Sequence, residues 1–127
     1  MADASNLAGA RVLVVEDEML VSLLIEDILT ESRCIIVGPY DRVPAALEAA
    51  RSLPLDAAVL DVNLAGTKVY PVAEMLSARG IPFVLLSGYG AGAVPAEHAT
   101  WRVCDKPFRA EQLTGMLVEQ MTAGKPP

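Results

Sequence analysis

Five short apolar runs punctuate the chain: Arg11–Val15, Cys34–Val37, Ala57–Leu60, Pro82–Leu86 and Trp101–Cys104. They are near-continuous rather than alternating, which is the pattern of strands covered on both faces. Longer segments with helical spacing lie between them, as in Leu20, Leu23, Leu24 and Ile28 after the first run and Leu113, Leu117 and Met121 after the last. A second helix is predicted over Val43–Ser52, closed by Pro54, and a third over Val69–Arg79, closed by Gly80 and Pro82. The fourth connection, Gly88–His98, contains three glycines and a proline. That composition costs too much helix propensity for more than a short or irregular helix.

Strand and helix thus alternate five times, with connections too long for hairpins. This order predicts right-handed crossovers and an α/β fold of the flavodoxin-like type: a doubly wound, five-stranded parallel sheet in the order 2-1-3-4-5 with helices on both faces. Residues 1–9 and 123–127 are small, polar or rich in Gly and Pro, and read as flexible tails around one domain spanning 10–122. Cys34 and Cys104 would fall on the two opposite edges of such a sheet, about 19 Å apart at ~4.8 Å per strand step. A disulfide needs Cα atoms within about 7 Å, so two free thiols are expected.

Composition narrows the partners. The chain has 127 residues, 53% hydrophobic, with a net charge of −6. The apolar content is enough for one buried core, and the negative balance without any Lys/Arg cluster disfavours nucleic acid or an anionic membrane surface as a direct partner. The chain has no apolar run near eighteen residues and no basic leader, so a cytoplasmic protein is expected. One histidine and two distant cysteines offer no zinc site. If metal binds, oxygen atoms hold it.

In an open α/β sheet the binding crevice lies beyond the carboxyl ends of the strands. The first strand runs into Glu16-Asp17-Glu18 and the third ends in Asp61; in the 2-1-3-4-5 order these strands are neighbours, so Glu16, Asp17 and Asp61 should converge. Singly, such acids open a helix or end a strand. Clustered, they repel and must shift a pKa or hold a cation, for which Mg²⁺ in an open loop site is the natural solution. The fourth strand ends in Ser87-Gly88, bringing a hydroxyl and a free amide, and the fifth in Asp105-Lys106-Pro107, bringing an ammonium. A nucleophilic carboxylate, further acids, a hydroxyl and a lysine are what an aspartyl-phosphate site requires.

This ordered set, Val14-Val15-Glu16-Asp17, Asp61-Val62-Asn63-Leu64, Ser87-Gly88 and Lys106-Pro107-Phe108, resembles the receiver domain of two-component response regulators over residues 10–122. The resemblance implies Asp61 as phosphoacceptor, with Asp17 and Asp61 binding Mg²⁺ directly, Glu16 acting through water and the Asn63 carbonyl completing the protein ligands. It further implies Ser87 and Lys106 on the phosphoryl oxygens and a cis Lys106–Pro107 bond. The donor would be a phosphohistidine of a sensor histidine kinase or phosphotransfer protein, and the output contact with a downstream protein. Such a protein is a self-phosphorylating switch rather than a metabolic enzyme.

Two departures stand out. Ala65 occupies the place where receivers usually carry a proline, four residues after the acceptor, and Val103 the place of the usual switch aromatic. Pro82–Gly90 resembles a receiver subgroup, frequent in alphaproteobacteria, whose loop reads Phe-Ala-Thr-Gly-aromatic-Gly; here Leu85-Leu86-Ser87 replaces Phe-Ala-Thr. The switch is accordingly expected in Ser87, Gly88 and Tyr89. Two other readings compete: a haloacid-dehalogenase-like phosphatase, which wants an Asp where this chain has Asn63, and an interaction module of the same fold that works without phosphorylation and would need none of Glu16, Asp17, Asp61, Ser87 and Lys106.

Overall fold

The computed structural model describes residues 7–88, 94–98 and 100–123. Its elements in chain order are β1 (Arg11–Val15), α1 (Met19–Glu31), β2 (Ile35–Tyr40), α2 (Val43–Ser52), β3 (Ala57–Asp61), β4 (Asn63–Leu64), β5 (Thr67–Lys68), α3 (Tyr70–Ala78), β6 (Phe83–Ser87), β7 (Val103–Asp105) and α4 (Ala110–Ala123). Five strands form one parallel sheet in the order β2-β1-β3-β6-β7, which is 2-1-3-4-5 when only the sheet strands are counted. The fold read from the apolar pattern is therefore the fold observed. The described part of the β6–β7 connection holds a single 3-10 turn, Ala96–His98, in keeping with its glycines and proline.

Alternation along each central strand sends side chains to two separate cores. Leu13, Val15, Ala58, Leu60, Phe83 and Leu85 meet α2 and α3 on one face. Val12, Val14, Ala57, Val59, Val84 and Leu86 meet α1 and α4 on the other. Because β1, β3 and β6 are buried along nearly their whole length, only their carboxyl ends leave room for polar chemistry. Leu7 is fully buried in the α1/α4 layer and the Gly9 amide donates to the Arg33 carbonyl at 2.8 Å, so the chain packs from three residues before the boundary expected at 10. α4 likewise runs one residue past Thr122. Cys34 and Cys104 are free, as the strand order requires.

Two local features were not anticipated from the pattern. One is the β4–β5 hairpin between β3 and α3, paired Asn63 with Lys68 and Leu64 with Thr67. Its two central residues, Ala65 (φ 49°) and Gly66 (φ 87°), both lie in the left-handed region, which is the two-residue turn that suits the twist of a hairpin. The other is an aromatic plug: Trp101 stacks on His98 (centroids 3.8 Å apart, planes 1° apart) and meets Phe83 edge-on at 5.4 Å, while His98 Nε2 lies 3.2 Å from Glu74 of α3.

Gly38 links the fold to the site. Its φ is 112°, a Cβ there would lie 2.8 Å from the Val14 carbonyl oxygen, and the β1–β2 register shifts at this point. The irregularity carries β2 on to Tyr40, whose carbonyl accepts the Glu16 amide at 2.9 Å. Gly38→Ala is expected to cost about 1–3 kcal/mol, measurable by urea denaturation, because the strained backbone and the close carbonyl act together.

Candidate functional site

The register of the parallel strands places the polar residues. β3 pairs with both β1 and β6, and β6 with β7, so the chain ends after Val15, Asp61, Ser87 and Asp105 open onto one edge. Two backbone hydrogen bonds fix the loops there: the Val62 amide donates to the Leu86 carbonyl at 3.0 Å and the Lys106 amide to the Ser87 carbonyl at 2.9 Å. A cleft of about 330 Å³ results, lined by Glu18, Asp61, Val62, Asn63, Ser87, Gly88 and Lys106.

Asp61 sits at the floor of this cleft with its side chain 7% exposed and one oxygen 3.3 Å from Lys106 Nζ. Its other oxygen accepts the Asn63 amide at 3.4 Å. Glu16 is deeper still, its side chain fully buried. One Glu16 oxygen accepts the Glu18 amide at 3.1 Å, at the start of α1, where the helix dipole favours negative charge. The other, Oε2, accepts no hydrogen bond and has Lys106 Nζ 3.4 Å away. Glu18 stands at the rim, mostly exposed, with Oε1 3.6 Å from the same ammonium. The Lys106–Pro107 bond is cis.

Not every expected acid turns inward. One oxygen from each of Glu16, Glu18 and Asp61 falls within 4.8 Å of the others, whereas Asp17 accepts the Ala65 amide at 2.9 Å. The sequence reading passed over Glu18 as a site residue. The strand period could not have found it, since β1 ends at Val15 and the chain bends at Asp17. Ser87 and Gly88 line the cleft as expected. Tyr89, the proposed switch reporter, lies outside the described residues.

The electrostatics follow from burial and charge count. Burial pushes the Glu16 carboxyl up to about 8, and neighbouring Asp61 adds to the rise, while the Glu18 amide and Lys106 oppose it. For Lys106 burial pulls downward, yet Asp61 and Glu16 together more than offset it and its pKa is raised. A buried carboxylate with an orphaned oxygen beside two further acids is a set of hard oxygen donors short of positive charge. These residues fit a divalent cation such as Mg²⁺.

No family model and no curated protein matches the chain. Solved structures do. The chain is 38% identical to SdrG from Sphingomonas melonis Fr1, with a TM-score of 0.74 over 91% of this chain and 95% of that one. The BeF3-activated conformation of SdrG from Pseudomonas melonis Fr1 aligns at 38% identity and a TM-score of 0.68 over 92% and 96%. The response regulator PhyR from Brucella abortus shares 20% identity at a TM-score of 0.79 over 94% of this chain, which spans 51% of that relative. The receiver domain of sensor histidine kinase PA1611 from Pseudomonas aeruginosa PAO1, with a magnesium ion in its active-site cleft, shares 22% at a TM-score of 0.74 over 91% and 99%. The last two show the fold alone.

The raised Glu16 pKa has a sign that can be tested. Between the ordinary value of 4.5 and about 8 the folded chain keeps a proton on Glu16 that the unfolded chain has lost. Stability of the metal-free protein should therefore fall as pH rises through this window. Urea denaturation in the presence of a chelator should show that slope, and Glu16→Gln, which holds the neutral form at every pH, should flatten it.

Proposed function

Because the chain belongs to the receiver-domain family of response regulators, we propose that it is a phosphorylation-dependent switch in which Asp61 takes a phosphoryl group from the phosphohistidine of a sensor histidine kinase or phosphotransfer protein. The observation that carries this reading is the pairing of Asp61, at the floor of an open cleft, with Lys106 Nζ at 3.3 Å. The BeF3-activated form of SdrG supports it, since beryllofluoride stands in for a phosphoryl group on a carboxylate.

An Asp61 oxygen attacks phosphorus in line, the new O–P bond forming as the P–N bond to the donor imidazole breaks and its electron pair stays on that nitrogen. Lys106 lies beside the attacked position and answers the charge on the phosphoryl oxygens. Ser87 and the Gly88 amide line the same cleft and supply donors to those oxygens. Glu16, Asp61 and the Asn63 carbonyl, with a further carboxylate from the Glu16–Glu18 run, would hold Mg²⁺. Bound there, the ion supplies Lewis-acid neutralisation of the transferring group.

The phosphoryl donor docks by protein contact. Met19, Leu20, Leu23 and Leu24 of α1 are 76%, 82%, 53% and 46% exposed, and Ile35 of β2 is 46% exposed. The α1 part of this apolar surface begins one residue after Glu18, at the cleft rim, which suits it to a partner that presents its phosphohistidine to Asp61. No described helix is long and apolar enough to cross a membrane.

With Mg²⁺ and a small-molecule phosphodonor, intact-mass analysis should show a gain of one phosphoryl group, lost in Asp61→Asn with the fold retained. Full labelling of Asp61→Asn would refute the assignment. Leu20→Arg should slow transfer from the cognate phosphohistidine protein by about tenfold or more, as loss of a central contact does. Labelling of that variant by the small donor should stay unchanged.

A further inference from the structure

We propose that Lys68, on the β4–β5 hairpin, is a second cation of the cleft, whose ammonium contacts the oxygens of the phosphoryl group that Asp61 accepts. The inference rests on reading the cleft as a phosphoryl-acceptor site and adds a residue to it.

The register of the hairpin puts Lys68 there. Asn63 and Lys68 are direct cross-strand partners. The neighbouring pair is Val62 with Val69, whose amide donates to the Val62 carbonyl at 2.9 Å. Bonded and non-bonded pairs alternate along an antiparallel ladder, so Asn63 and Lys68 form a non-bonded pair, the kind in which opposite side chains stand closest. Alternation also fixes the faces: Val62, Leu64 and Val69 are buried, which turns Asn63 and Lys68 together away from the core. Asn63 lines the cleft and its amide donates to Asp61. Lys68 therefore stands beside a cleft-lining residue two positions from the acceptor. The turn that sets this register has Ala65 and Gly66 at positive φ, which a proline at position 65 could not adopt.

Charge gives the position its meaning. Among the described residues Lys106 is the one cation lining the cleft, and it is already shared by Asp61, Glu16 and Glu18 at 3.3, 3.4 and 3.6 Å. An incoming phosphoryl group adds roughly 1.5 to 2 negative charges to that edge. Lys68 is exposed and makes no ion pair among the described residues, so its ammonium is uncommitted. A compact charge on a flexible four-carbon stem can stay in water until the anion arrives and then meet it. Phosphoryl transfer is assisted chiefly by positioning and by neutralising charge on the equatorial oxygens, which is the part a second lysine would play.

The test uses the full chain with Mg²⁺ and acetyl phosphate, the Asp61 oxygen bonding to phosphorus as the donor's P–O bond breaks and acetate leaves with its electron pair. Lys68→Met should slow labelling at sub-saturating donor, read by intact mass, by about three- to fivefold, the worth of one exposed ion pair. The beryllofluoride concentration that half-saturates the amide NMR shifts should rise by a similar factor, and Lys68→Arg should keep both near wild type. Titrated with Mg²⁺ alone, Lys68→Met should bind as tightly as wild type or tighter, because losing a nearby cation cannot weaken the binding of another. Arg51→Met, which removes an exposed cation from the last turn of α2, sets the background. Labelling of Lys68→Met at the rate of Arg51→Met overturns the proposal, and so does a parallel loss of Mg²⁺ affinity, which would mark a structural role. Absence of labelling in the wild type would instead overturn the acceptor reading and the proposal together, so the two failures are distinct.

Discussion

The organisation of the cleft depends on one electrostatic imbalance: three carboxylates share the carboxyl edge of the sheet with a single ammonium. Lys106 Nζ lies 3.3, 3.4 and 3.6 Å from Asp61, Glu16 and Glu18. One cation cannot neutralise three anions, and burial removes the water that would otherwise screen them. The molecule resolves this by raising the Glu16 pKa, so the metal-free cleft stores a proton where a divalent ion would put charge. A divalent cation would therefore compete with that proton for the same deficit. That competition would make the site responsive to a doubly charged group, since a phosphoryl on Asp61, as proposed, would change the balance again by roughly 1.5 to 2 charges.

Everything else in the fold serves to hold that imbalance in place. Core strands buried on both faces cannot shift without exposing apolar side chains, so the acids at their ends are fixed by packing rather than by one another. The irregular β2 backbone at Gly38 lets the Tyr40 carbonyl hold the Glu16 amide, and the Val62 and Lys106 amides tie neighbouring strand ends together. Repelling groups stay close because the structure around them costs more to deform than their repulsion gains.

How much of this the sequence disclosed follows from the range of each interaction. The sheet order and the convergence of strand ends were legible because continuous Val/Ile/Leu runs with helical intervals admit few topologies. The hairpin was not, since Leu64-Ala65-Gly66-Thr67 lacks the Asn-Gly or Asp-Gly pair that normally marks such a turn, and Ala65 is an unusual residue for a positive φ. The burial of Leu7 was hidden for a related reason: one apolar residue among small ones has no period, and its place in the α1/α4 layer is set by tertiary packing. Glu16-Asp17-Glu18 shows where pattern reading stops. Type and spacing announce an acidic edge, but which acid faces the cleft depends on the bend at Asp17 and on an amide donor 48 positions away.

The same geometry limits how a phosphoryl group on Asp61 can be felt elsewhere. The rigid layers beneath the cleft move least, so a response must travel through the loops above it. Lys106 is bonded through its amide to the Ser87 carbonyl, and Ser87 ends β6, leading into the β6–β7 connection, whose described residues hold only the 3-10 turn Ala96–His98. Drawing Lys106 and Ser87 together toward one group of oxygens would pull toward the far end of this connection, where Trp101 packs on Phe83 and His98 meets Glu74. On the proposed function, a change in charge at Asp61 would reach the surface at the edge formed by β6, β7 and α3.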